Sequence, residues 1–263
     1  MIDKNHPGFR DLEYRKRRDR IARIAVEYKA PSPVPDVYYV AEEHAVWSDI
    51  SKRIKPLHDK YAWSGYLAAA QIAQLPTDRI PQLSEVNDAL SLHTGFHLSP
   101  VAGLVPSRVF LTELMHRRML STQYIRHYSV PDYTPEPDVV HELIGHAVPF
   151  FTEEYCNLNY LFGAGAEVAS DEMLVLLERL YWYTIEFGLV KENDSLKAFG
   201  AGLISSIGEL EQINRVPLKP FCVQDIINTS YDTMHMQPTL FCAESYNEMR
   251  LGIEKWISEE ILG

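Results

Sequence analysis

The stretch YTPEPDVVHELIGH, residues 133–146, decides how the chain is read. Pro135 and Pro137 hold its first half extended, because proline fixes its own backbone and pushes the preceding residue out of the helical region. A helix should follow and carry His141 and His146. The zinc-protease signature H-E-x-x-H sets two histidines four apart on one helix face. Here they are five apart. On a straight α-helix that leaves about 140° between the two side chains. The protease geometry does not fit, and convergence of the rings requires a bend or a helix end near Gly145.

Outward from this segment the pattern is mostly helical. Residues 8–29 read as a helix that PSPVP (31–35) ends, and 39–60 and 63–74 as two more. PQLSEVNDAL (81–90) starts another near Ser84, with that serine as its cap. FHLSPV (96–101) is short and β-like. PSRVFLTELMHRRML (106–120) begins a helix with proline near the first turn. AEVASDEMLVLLERLYWYTIEFGL (166–189) is the longest helical pattern, acidic early and with Gly188 near its end. Residues 196–213 and 242–260 also look helical. Strand candidates are few and short, so the expected fold is mainly α. No linker or repeat divides it, and residues 1–263 read as a single domain.

Bulk properties exclude several roles. At 263 residues and 46% hydrophobic, the chain has enough apolar material for a sizeable core. A formal net charge of -11 argues against binding a phosphate backbone. The one basic run, RKRRDR (15–20), reads as the solvated face of a helix, because Tyr14, Ile21, Ile24 and Tyr28 recur around it at helical spacing. Cys156, Cys222 and Cys242 are scattered and form no C-x-x-C pair, which fits a reducing compartment. The charged opening MIDKNHPGFRD is no secretory signal, and no apolar run is long enough to span a bilayer. The expectation is a soluble cytoplasmic protein without nucleic-acid or membrane partners.

A third ligand is suggested by Glu186 in YWYTIEFGL. A carboxylate between Ile185 and Phe187 is expensive to bury unless it is paired or binds a metal. The alternative is a surface glutamate, but Trp182 and Tyr183 lie one turn earlier on that face. Two histidines and one carboxylate with open positions is the arrangement of non-haem Fe(II) oxygenases. Zinc with the same donors is the other metal reading.

Several motifs, in order, resemble the pterin-dependent aromatic amino acid hydroxylases. They are HPGFRDLEYRKRR (6–18), TGFHLSPVAGL (94–104), STQYIRH (121–127), YTPEPDVVHELIGH, YWYTIEFGL (181–189) and FGAGLISSIGEL (199–210). The resemblance runs from about His6 to the C-terminus. It implies a mainly helical catalytic domain with a few short strands. In that domain one Fe(II) is held by His141, His146 and Glu186, and iron and a tetrahydropterin together activate O2 for ring hydroxylation. By motif position, the pterin lies against Phe110, an aromatic contact. Gly103, Leu104, Val105 and Ser107 line its edge, with Gly103 allowing close approach. Glu142 is the acid near the pterin.

For the amino acid, the resemblance places Arg126, Thr134, Pro137, Asp138, Trp182, Gly202 and Ser205 around the substrate. Arg126 offers a planar fork suited to a carboxylate, and a structural ion pair with Asp138 is compatible with that role. Tryptophan-specific relatives commonly carry a smaller ring at the position of Trp182, so Trp182 leans towards phenylalanine. Departures from the family pattern fall at AVPFF (147–151), EEYCNLNYLFG (153–163) and Leu120. They bear on substrate choice and the ring position hydroxylated, and leave the ligands intact.

The expected function is therefore an Fe(II)- and tetrahydropterin-dependent phenylalanine 4-monooxygenase. Tyrosine, tryptophan or another ring position of phenylalanine is the alternative within the family. A zinc hydrolase and a non-catalytic binding protein are the alternatives outside it. The chain shows neither the N-terminal regulatory domain nor the C-terminal assembly helix of animal relatives, so a monomer or homodimer is expected.

Overall fold

The computed structural model describes residues 6–233 and 235–263; residues 1–5 of the charged opening lie outside them. The fold is mainly α. The principal helices are Leu12–Glu27, Ala41–Tyr61, Ser64–Ala73, Leu83–His93, Ser107–Met115, Glu153–Val168, Asp171–Tyr181 and Tyr246–Ile257. Six short strands complete it: β1 (His97–Pro100), β2 (Arg118–Ser121), β3 (Leu189–Glu192), β4 (Ser195–Ala198), β5 (Leu218–Pro220) and β6 (Leu240–Ala243). β1 and β2 pair in parallel, and the others form a sheet in the order β4-β3-β6-β5. The buried apolar side chains form one contiguous cluster running from Ile21 to Ile257. No helix among the described residues is long and apolar enough to cross a membrane.

Several element boundaries differ from the sequence reading, each for a local reason. The 8–29 helix is divided at Asp11, whose carboxylate accepts hydrogen bonds from the backbone of Glu13 and Tyr14 and so starts Leu12–Glu27 afresh. Ser84 is not a cap. Glu85 closes back onto the Gln82 N–H at 2.9 Å, while the Ser84 hydroxyl donates to Asp36 at 2.6 Å. The 166–189 pattern breaks at Ala169 and restarts where the Ser170 hydroxyl accepts from Met173 N–H. The longest helix is instead Ala41–Tyr61 among the described residues.

Residues 196–213 do not form one helix. Asn193 and Asp194 both take positive φ, 49° and 59°, and make a two-residue turn between β3 and β4. The apolar positions of LKAF therefore belong to a strand and its exit, and two short helices, Ala201–Ile204 and Ile207–Gln212, follow. Likewise 242–260 opens in β6, and Ser245 caps the helix that follows. The basic run is also less solvated than expected. Arg17 pairs with Glu43 at 2.9 Å, and Arg18 pairs with Glu136 and sits over the Tyr124 ring.

Helix Glu153–Val168 lies backbone to backbone on Ser107–Met115. A Cβ at Gly163 would fall 2.4 Å from the Met115 nitrogen and 2.8 Å from the Leu111 carbonyl oxygen. Only glycine permits that approach. This packing fixes the segment carrying Phe110 against the body of the molecule.

Candidate functional site

The five-residue histidine spacing is resolved by a wider helix. Residues His141–Ala147 form a π-helix rather than a bent or terminated α-helix. Hydrogen bonds to the fifth residue widen the turn, so residues five apart return to nearly the same face. A second π-helix, Trp182–Glu186, ends the Asp171–Tyr181 helix and turns Glu186 inward. Gly145 lets the first segment press on Ala201–Ile204, since a Cβ there would lie 2.7 Å from the Ala201 carbonyl oxygen.

The three side chains converge. His141 Nε2 and His146 Nε2 are 3.1 Å apart, with the rings nearly perpendicular at 81°. Glu186 Oε1 lies 3.0 Å from His146 Nε2, and Oε2 lies 3.5 Å from His141 Nε2. Two ligands bound at about 2.1 Å and roughly at right angles to one another sit about 3 Å apart. The donor triangle thus fits one first-row metal ion. No other group of three or more such donors is gathered among the described residues.

Hydrogen bonds set the ring states. The Ser205 hydroxyl donates to the Ala201 carbonyl at 2.8 Å, so its oxygen must accept the His141 Nδ1–H at 3.1 Å. That leaves the His141 Nε2 lone pair pointing at the donor triangle. Burial pushes His141 down to about 4, so the ring is neutral. Burial would raise the Glu186 carboxyl, but adjacent His146 and then His141 outweigh it and hold it below its ordinary value. The same pairing lifts His146 against its own burial. A metal ion would displace that shared proton.

Beside the triangle, Glu142 is buried, and burial pushes its carboxyl up to about 7. Its Oε1 accepts from both the N–H and the hydroxyl of Thr122 at 3.0 Å. Arg126 is 3% exposed and forms a two-pronged pair with Asp138, at 2.7 and 3.0 Å. Asp138 Oδ1 also accepts the backbone N–H of His141 at 3.1 Å, so one carboxylate ties Arg126 to the start of the histidine helix.

These groups line a cavity of about 310 Å³. Gly103, Leu104, Val105, Ser107 and Phe110 line it, as do Arg126, Thr134, Pro137, Glu142, Trp182, Gly202 and Ser205. Asp138 stands behind Arg126 and does not line it. No protein atom comes within 4 Å of a Cβ built at Gly103, so any need for glycine there comes from a ligand. Sequence reasoning missed Tyr133, Glu136, Tyr181, Phe187, Tyr231, Thr233 and Gln237, which also line the cavity. Tyr181 and Phe187 flank the ligand-bearing segment and were within reach of a helical-face reading. The 231–237 loop carries no periodic signal.

Two histidines and a carboxylate facing a largely apolar cavity is the arrangement of mononuclear non-haem iron enzymes. The family can be stated as well. Residues 1–261 match the model of the biopterin-dependent aromatic amino acid hydroxylases, and the chain belongs to that family. It is 40% identical over 255 residues to human phenylalanine-4-hydroxylase, covering 95% of this chain and 56% of that protein. It is 39% identical over 263 residues to Drosophila melanogaster tyrosine 3-monooxygenase, covering 98% of this chain and 45% of that protein. The chain thus spans about half the length of these relatives. A solved Chromobacterium violaceum phenylalanine hydroxylase with bound iron(III) and 7,8-dihydrobiopterin matches with a TM-score of 0.79 at 28% identity, over 91% of each chain.

Proposed function

We propose that this chain is an Fe(II)- and tetrahydropterin-dependent monooxygenase that uses O2 to hydroxylate L-phenylalanine to L-tyrosine. One observation carries it: His141, His146 and Glu186 form a one-metal triangle in a cavity walled by aromatic rings and a buried arginine. Residues 1–263 then act as one catalytic domain, supported by the contiguous core. Iron and the reduced pterin, when bound, supply O2 activation.

The protein's own part is positioning and proton control. Arg126, held by Asp138 and with its Nη1 on the Pro131 and Ser205 carbonyls, meets the amino acid carboxylate with the remaining Nη2–H. Trp182, stacked on Tyr231 at 4.5 Å and tilted against Phe187, walls the aromatic ring. Phe110 and the 103–107 backbone face the pterin. Glu142, with its carboxyl near 7, holds or releases a proton at the oxygen not bound by Thr122.

Tyrosine hydroxylation is the second reading, favoured by the similarity to the Drosophila tyrosine 3-monooxygenase. The test is a product assay. Purified protein receives Fe(II), a tetrahydropterin and O2, with phenylalanine, tyrosine and tryptophan in separate reactions. Products are identified by chromatography against ring-position standards. para-Tyrosine as the dominant product supports the proposal. Dihydroxyphenylalanine from tyrosine as the dominant product replaces it with the second reading, and no hydroxylation by the iron-loaded protein rejects both.

A further inference from the structure

Trp182 is held by more than packing. Its indole Nε1–H donates to Gln237 Oε1 at 3.0 Å, across 55 positions of sequence. Gln237 is 3% exposed. Its Nε2 lies 2.9 Å from the Asp232 carbonyl oxygen and 3.0 Å from that of His235. Two acceptors on that side mean it must be the NH2 group, so the amide oxygen is forced towards the indole N–H. The Gln237 backbone N–H is in turn taken by the buried Glu209 carboxyl at 3.2 Å.

One amide therefore performs two tasks. Its NH2 holds the carbonyls of Asp232 and His235, beside Tyr231, Thr233 and Gln237 of the cavity wall. Its oxygen fixes the Trp182 ring about its own axis, with Tyr231 stacked 17° from parallel on that ring. Stacking alone leaves an indole free to slide or rotate in plane, because ring contacts are weakly directional. A hydrogen bond at the ring edge removes that freedom.

We propose that Gln237 is a positioning residue for aromatic-ring selection: by tying the indole of Trp182 to the backbone of Asp232 and His235, it sets the width of the ring pocket. This rests on the functional reading above. A polar anchor suits the task because alternative Trp182 orientations forfeit the net gain of one hydrogen bond and are disfavoured about three- to tenfold.

The test uses Gln237→Met, which keeps the length and the backbone bond to Glu209 but removes every side-chain polar contact, alone and with Trp182→Phe, which removes the indole N–H. The readout is kcat/KM for phenylalanine relative to tryptophan. Gln237→Met should lower that ratio about three- to tenfold, mainly through KM for phenylalanine, and its effect should be clearly smaller in the Trp182→Phe background, where only the contacts to the Asp232 and His235 carbonyls remain to be lost. A role in folding alone would lower turnover of all amino acids alike and would add to Trp182→Phe. An unchanged ratio, or full additivity, overturns the proposal. A second readout does not depend on turnover: the Trp182 indole proton, assigned in 15N spectra by its loss in Trp182→Phe, should exchange slowly in the wild type and faster in Gln237→Met. Equal exchange in both overturns the proposal. Wild-type protein that hydroxylates none of the amino acids counts against the functional reading, and the indole proton then decides the contact by itself.

Discussion

Replacing Ser205 by alanine should weaken metal binding without touching a ligand. In the wild type the Ser205 hydroxyl gives its proton to the Ala201 carbonyl and accepts the Nδ1–H of His141. Alanine leaves two choices for the buried ring. It keeps Nδ1–H unpaired, at about 1–3 kcal/mol, or it moves the proton to Nε2, where Glu186 Oε2 waits 3.5 Å away. The second choice protects the metal-free protein and blocks the lone pair that a metal needs, so binding must first undo it. Loss of such a supporting hydrogen bond typically costs about 10–100-fold in metal affinity, or about 1.4–2.7 kcal/mol. The assay is anaerobic titration of Fe(II) or Co(II) against a competing chelator, with thermal unfolding of the metal-free proteins as the control for folding. Ser205→Thr keeps the hydroxyl and should bind near wild-type strength. A folded Ser205→Ala protein with unchanged affinity would refute the tautomer assignment.

Two further outcomes concern stability. Glu209 is buried, and burial raises its carboxyl from the ordinary 4.5 to about 7. A raised folded-state value means full stability below the unfolded value, lost as pH climbs through the folded one, here from about 4.5 to 7. That window corresponds to about 3 kcal/mol at most, so Glu209→Gln should gain Tm relative to wild type at pH ~8 compared with pH ~5; a difference independent of pH sinks the assignment. Gly163→Ala pushes a methyl into the backbone of Ser107–Met115. Overpacking there should cost about 1–3 kcal/mol and lower Tm by roughly 2–10 °C, and an unchanged Tm in a calorimeter would contradict the close contact.

Much of the site was legible in the sequence, because ligand identity is a matter of residue type. The histidine pair, Glu186 in its apolar helix and Arg126 near Asp138 could be picked out from chemistry and motif order. The boundaries were less so. Residues 196–213 carry apolar positions compatible with either a strand or a helix, and the decision fell to the Asn193–Asp194 turn and to pairing with β3, both properties of the folded sheet. The split at Asp11 and the helix start at Gln82, closed by Glu85 rather than Ser84, are decided by which side chain reaches an open backbone N–H.

The sequence by itself determined that the protein is mainly helical and which donors it offers to a metal. It even exposed the contradiction in the five-residue spacing. Only tertiary structure resolved that contradiction. An α-helix would send His141 and His146 apart, and the π-helical turn becomes affordable where Gly145 seats against Ala201 and the surrounding core packs around it. Tertiary structure also decided what no local pattern encodes: that Ser205 orients His141 across 64 positions, and that Gln237 grips Trp182 across 55. Such contacts depend on distances between distant segments, and those are set by the packing of the whole core.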